Sequence, residues 1–238
     1  TVTSGGATEA QGARSSSYGA VSVRQGCSFY MLSTGKAWST SVQTGTVFTT
    51  SGNPVTQTGC FKCTIPGANK WIHPGPKGCC EDKSENDAAW LTIKATVPVN
   101  AKGLLFDFLF LSAEYPEFVQ SSFNDTFYAV VTTSTLTSTQ NVSFDKTGQP
   151  LTVNNGWFEN PASPTQSLVG TGYDAILNGK QAGSSSGWLT TMVPVKPKEK
   201  VTITFWIHDE SDRIYDSAVI IDNLRWTSTT ALAPSTVK

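Results

Sequence analysis

The residues best suited to chemistry lie in two acidic stretches beside strongly apolar runs. The first is Leu111 to Phe118, carrying Glu114 and Glu117, followed by Phe123-Asn124-Asp125-Thr126. The second runs from His208 through Asp209, Glu210, Asp212 and Asp216 to Ile221-Asp222-Asn223. Asp125 and Asp222 adjoin runs that must be buried, and a buried carboxylate needs a partner. A hard cation held by oxygen ligands is one solution, and Ca²⁺ tolerates irregular loop carboxylates and carbonyls better than Mg²⁺ does. The expected ligand pool is Glu114, Asp125, Asp209, Asp212, Asp216 and Asp222. Pairing with Arg213 or Arg225, together with capping of turn amides, is the other solution.

Other chemistries find less material. The two histidines are His73 and His208, and abundant serine makes a chance triad cheap. A carboxylate pair such as Glu114 with Asp209 would suit glycoside hydrolysis, so a hydrolase stands as the weaker alternative. Trp157 and Trp188 lie in or near Gly-rich loops and are the best places for a sugar ring to stack, which keeps a carbohydrate-binding module open. Trp90, Trp206 and Trp226 sit within strand patterns and read as packing.

All five cysteines fall early: Cys27, Cys60, Cys63, Cys79 and Cys80. Disulfides are the favoured reading, with Cys27 joined to one of the other four, a second bridge within that cluster and one thiol left over. Zinc held by the Cys60-x-x-Cys63 pair with His73 is weaker, because adjacent cysteines fit one tetrahedral ion poorly.

The elements that must position these residues are strands. Of 238 residues, 32 are Thr and 26 Ser, while charged residues make up only 15%. That composition favours strands and turns over helices. Trp90 to Val97 alternates, and so does Val201 to His208, with Val201, Ile203, Phe205 and Ile207 facing inward. Leu104 to Leu111 is almost continuously apolar, as in a central strand covered on both faces. Thr126 to Thr133, Leu136 to Phe144, Pro150 to Val153 and Ala218 to Trp226 complete the expected set. The expected fold is all-β, an antiparallel sandwich or jelly roll with a Cys-containing, loop-rich N-terminal part. Residues 1–80 form that part, 81–228 the sandwich and 229–238 a Thr/Ser/Ala-rich tail. The first 20 residues hold few large apolar groups and should be flexible alone, so the N-terminal part is expected to pack on or extend the sandwich, a neighbouring copy being one candidate for ordering the tail.

A net charge of −1 excludes a generally basic nucleic-acid binder. The longest apolar run is interrupted by Asp107 and is far shorter than the roughly 20 residues of a membrane-spanning helix. A start at Thr1, without a signal-like segment, together with the cysteine usage, fits a mature exported chain.

Phe110 to Phe127, Val142 to Asn154, Gly170 to Tyr173, Gly187 to Thr191 and Ile203 to Trp226 together resemble the choice-of-anchor L domain. The resemblance covers about residues 86–228. It implies an exported bacterial surface protein with an extracellular β-sandwich. The expected function is a non-catalytic structural or adhesive role, Ca²⁺-stabilised, with self-assembly through the N-terminal segment into a fibre or layer. The expected partner is a second copy of the chain, or a surface glycan or protein.

Overall fold

The computed structural model describes residues 1–41, 85–119, 123, 125–146, 148, 150–154, 156–174, 176–177, 180–181, 183–210 and 213–238. Their strands begin with β1 (Val2–Gly5), β2 (Gln11–Ser15), β3 (Ser17–Tyr18), β4 (Val21–Ser22) and β5 (Ser28–Ser33). The long strands follow: β6 (Glu85–Thr96), β7 (Gly103–Ser112) and β8 (Thr126–Thr132). Short pieces come next, β9 (Gln140–Asn141), β10 (Leu151–Thr152), β11 (Ile176–Leu177) and β12 (Lys180–Gln181). The chain closes with β13 (Ser184–Pro194), β14 (Lys200–Glu210), β15 (Ser217–Thr227) and β16 (Ser235–Val237). The described residues contain no α-helix, only a 3-10 turn at Thr8–Ala10.

Two antiparallel six-stranded sheets form the body. One has the order β1-β6-β14-β8-β10, with β9 also on β8; the other runs β16-β13-β7-β15-β5-β2. Their facing sides share one core. Phe106, Phe108 and Phe110 of β7 meet Phe127 of β8 and Phe205 of β14. Each such ring, fully buried, contributes about 1.5–3 kcal/mol of transfer free energy. The period-two alternation expected for β6 and β14 holds, because Leu91, Val201, Ile203, Phe205 and Ile207 all enter this core.

β7 is central, between β13 and β15, and buried on both faces as its continuous apolar run requires. Its outer residues Leu109 and Leu111 join Met31, Ala218 and Ile220 beneath Tyr18, Leu168 and Tyr173. On the other sheet's outer face, Tyr128 and Trp206 stack with centroids 5.2 Å apart, and His208 lies 4.8 Å from Trp206.

Two expectations change. The strand foreseen over Leu136 to Phe144 shrinks to β9, since the Thr133 hydroxyl accepts the amides of Thr135 and Leu136 and offers the chain a turn instead. The first 20 residues are ordered by extending the chain's own sheets, and a neighbouring copy is not what orders them here. β1 pairs with β6 from Val2↔Ile93 to Gly5↔Trp90, and β2 pairs with β5. The C-terminal residues likewise add β16 to β13. No helix among the described residues is long and apolar enough to cross a membrane.

Candidate functional site

The acidic stretches emerge at one end of the two sheets. Past the end of β7, the Ser112 hydroxyl accepts the Glu114 amide at 3.1 Å, and the Glu114 carbonyl accepts the Phe118 amide at 2.9 Å. Asp125 immediately precedes β8 in the opposite sheet, and its amide points to Glu114 Oε2 at 3.4 Å. Glu114 is 1% exposed and Asp125 is wholly buried. Thr34, just past β5, bridges the same gap: its hydroxyl lies 3.4 Å from Asp125 Oδ2 and accepts the Ser217 amide at 2.9 Å. Carboxylates and hydroxyls from both sheets therefore share one solvent-free space.

Asp209 joins this end. His208 pairs with Thr126, so Asp209 and Asp125 are the next residues along their two strands. A register shift then sets Asp209 against Asn86, and Asp87 occupies the bulge with φ 50° and its carboxylate buried. Asp87 was missed in the sequence because it follows no apolar run. Arg213 turns its guanidinium to Asn86, donating to Oδ1 from Nε at 3.1 Å and from a terminal nitrogen at 3.0 Å.

Of the other members of the expected pool, Asp216 lies at this same end and Asp222 does not. Asp216 crosses against β5, where Gly35 leaves room for its carboxylate. Tyr173 lies nearby with its phenol pushed well above the ordinary range, first by burial and then by the charges of Tyr18, Asp216 and Asp125. Asp222 lies six positions along β15 from Asp216. It accepts the amides of Arg24 at 2.6 Å and Gln25 at 3.3 Å. Asp212 falls outside the described residues, as do Cys60, Cys63, Cys79 and Cys80. Cys27 carries an exposed, free thiol. Among the described residues, no three His, Cys, Asp or Glu side chains are gathered around a common metal position.

The expected sugar-stacking residues do not present open rings. Trp157 is 4% exposed, with Lys146 Nζ 4.7 Å from its ring centre. Trp188 is partly buried, capped by the Arg24 guanidinium at 5.4 Å, and donates its indole N–H to Gln166. A serine motif also passed unnoticed: Gly183-Ser184-Ser185-Ser186-Gly187 matches Gly-x-Ser-x-Gly. Ser185 lies inside β13, wholly buried, rather than on the exposed strand-to-helix turn that chemistry requires.

A second polar cluster, unforeseen, occupies the outer face of the β7 sheet. The only sequence signal for it was a lone acid, Asp107, breaking an apolar run. Thr190 at 2.9 Å, Asn223 at 2.9 Å and Arg225 at 3.0 Å all donate to its carboxylate, and Arg24 stands 3.4 Å away. The bulge after Asp222 aims Asn223 and Arg225 at the same acceptor. Burial pushes the Asp107 carboxyl up, but the bonds from Asn223, Arg225 and Thr190 outweigh it and hold the group below its ordinary value.

The chain belongs to the choice-of-anchor L domain family, whose model matches residues 21–225. That match starts well before residue 86, where the resemblance was expected to begin, and takes in β4 and β5. Membership implies an exported, cell-surface-associated protein, in a family generally non-enzymatic and associated with anchoring. No curated protein matches the chain.

Proposed function

We propose that this domain serves a non-catalytic structural or adhesive role at the bacterial surface, stabilised by Ca²⁺ at the buried acidic end. The observation that carries this reading is the meeting of Glu114 and Asp125 from opposite sheets, both almost without solvent. Burial disfavours the charged form of a carboxylate, and a nearby cation is one partner that would favour it. An exported domain meets calcium at concentrations suited to weak extracellular sites, with dissociation constants of about 10⁻⁴–10⁻³ M. A cation here would tie the end of β7 to the start of β8 and hold the two sheets together.

The test is a thermal melt of the full chain with Ca²⁺ and again after EDTA. At free Ca²⁺ about 100-fold above the dissociation constant, stability should rise by about 2.7 kcal/mol. An unchanged melt would remove calcium from this reading.

The self-assembly part of the proposal concerns β1. This strand is short, lies at a sheet edge and has mostly exposed side chains. A second copy can offer the same segment to β6, because main-chain bonds carry such pairing. Exchange that does not close propagates as a filament. The full chain and a chain lacking residues 1–6 are compared by sedimentation. Assemblies lost on deletion support exchange, whereas two monomers reject it and direct attention to a surface glycan or protein partner.

A further inference from the structure

We infer that the outer face of the β7 sheet binds a carboxylate-bearing sugar through the unused N–H groups of Arg24 and Arg225; the site needs neither calcium nor strand exchange. The two guanidiniums converge on one acid. Arg24 Nε stands 3.4 Å from Asp107 Oδ2, and Arg225 Nη1 stands 3.0 Å from Oδ1. Like charges are thus set side by side, and a further anion would be drawn to the pair. The acids of the cluster are committed inward. Asp107 accepts from Thr190, Asn223 and Arg225, and Asp222 accepts the amides of Arg24, Gln25 and Asn223. Asp107 is 1% exposed, whereas the two arginine side chains are 40% and 38% exposed. Two acids balance two arginines, yet the acids are buried and the cations reach water, so the face offered to a ligand is positive.

The unused donors and acceptors select the ligand. Arg24 engages its side chain only through Nε and its contact with the Trp188 ring, so both terminal nitrogens keep their N–H groups. Arg225 spends Nη1 on Asp107 and on the Asn223 carbonyl, which leaves Nε and Nη2. None of these nitrogens is sealed from solvent. Paired N–H groups in a planar fork match a carboxylate, whose two oxygens accept together. Asn223 bonds the same Asp107 carboxylate through Nδ2 and leaves its Oδ1 as an acceptor beside the arginines. An acceptor next to an anion site suits a ligand that carries a hydroxyl near its carboxylate, as a uronic acid does and acetate does not. Trp188, with Arg24 over its ring and its indole N–H on Gln166, holds the site's edge in place rather than stacking on the sugar.

Oligogalacturonate titrated into the full chain in calcium-free buffer, followed by calorimetry and nitrogen-15 NMR, tests the site. A neutral galacto-oligosaccharide of the same length and sodium acetate serve as comparisons. The uronate should bind more weakly as salt rises, and it should shift the Trp188 indole N–H and the Nε–H signals of Arg24 and Arg225. Arg24→Gln and Arg225→Gln should each weaken binding about tenfold. Arg225→Lys should not restore it, because an ammonium keeps the charge but not the fork. The NMR map on the wild-type chain decides the question even if an arginine variant does not fold. Absence of binding, shifts confined to other residues, or wild-type affinity in Arg24→Gln overturns the inference. Equal binding of the neutral sugar, or acetate competing mole for mole with the uronate, overturns the assignment to a carboxylate-bearing sugar.

Discussion

Asp222 Oδ2 accepts the backbone N–H of Arg24 at 2.6 Å, joining residues separated by 198 positions in the chain. The same oxygen takes the Gln25 amide, so one carboxylate fixes the segment between β4 and β5 to the edge of the Asp107 cluster. An acid that sequence alone assigns to a metal thus has a main-chain duty. Asp222→Ala should cost about 1–3 kcal/mol, since it strands these amides. Urea unfolding checks the loss, and its size should be the same with and without Ca²⁺.

The Asp107 cluster should make stability depend on acid. Asp107 titrates below its ordinary value because Asn223, Arg225 and Thr190 outweigh the effect of burial. The unfolded chain, with an Asp value of about 3.9, therefore binds the proton more readily than the folded one. The contribution is complete above about pH 4 and is lost as pH falls through the folded value. Asp107→Asn should destabilise the protein by about 1–3 kcal/mol at neutral pH and flatten this acid limb. Chemical denaturation at neutral and acidic pH measures both effects.

Gly35 is where Asp216 needs space. A Cβ on Gly35 would fall 1.9 Å from Asp216 Oδ2 and 2.2 Å from its Cγ. Gly35→Ala must push that carboxylate aside and should cost about 1–3 kcal/mol. Thermal unfolding reads the cost.

The C-terminal strand is secured by an ion pair between Lys238 and Glu159. Burial raises the Glu159 carboxyl, but bonds from Lys238 and Thr165 outweigh it and leave the group below its ordinary value. Lys238→Met should move Glu159 upward in a carbon-detected NMR titration. The stability loss should stay within about 1 kcal/mol, because the lysine is partly exposed.

The sequence by itself determined the long strands β6, β7, β8, β14 and β15 and the face that β6 and β14 bury, but not β13 or the edge strands. Alternation in Val201 to His208 and the unbroken apolar run of Leu104 to Leu111 follow from local side-chain chemistry, and both survive in the fold. The family motifs were legible for the same reason, being contiguous stretches of residues. Tertiary structure alone decided where the acids go. Glu114, Asp125, Asp209 and Asp216 gather at one end, with Asp216 against Gly35, while Asp222 lies apart and holds the Arg24 amide. Their separation depends on which strands pair and where bulges shift the register, as at Asp87 and after Asp222. A one-residue shift moves a side chain to the other face, so no local pattern encodes the outcome. The first 20 residues teach the same lesson, since their order comes from the edges of β6 and β5, which lie far along the chain or across a turn.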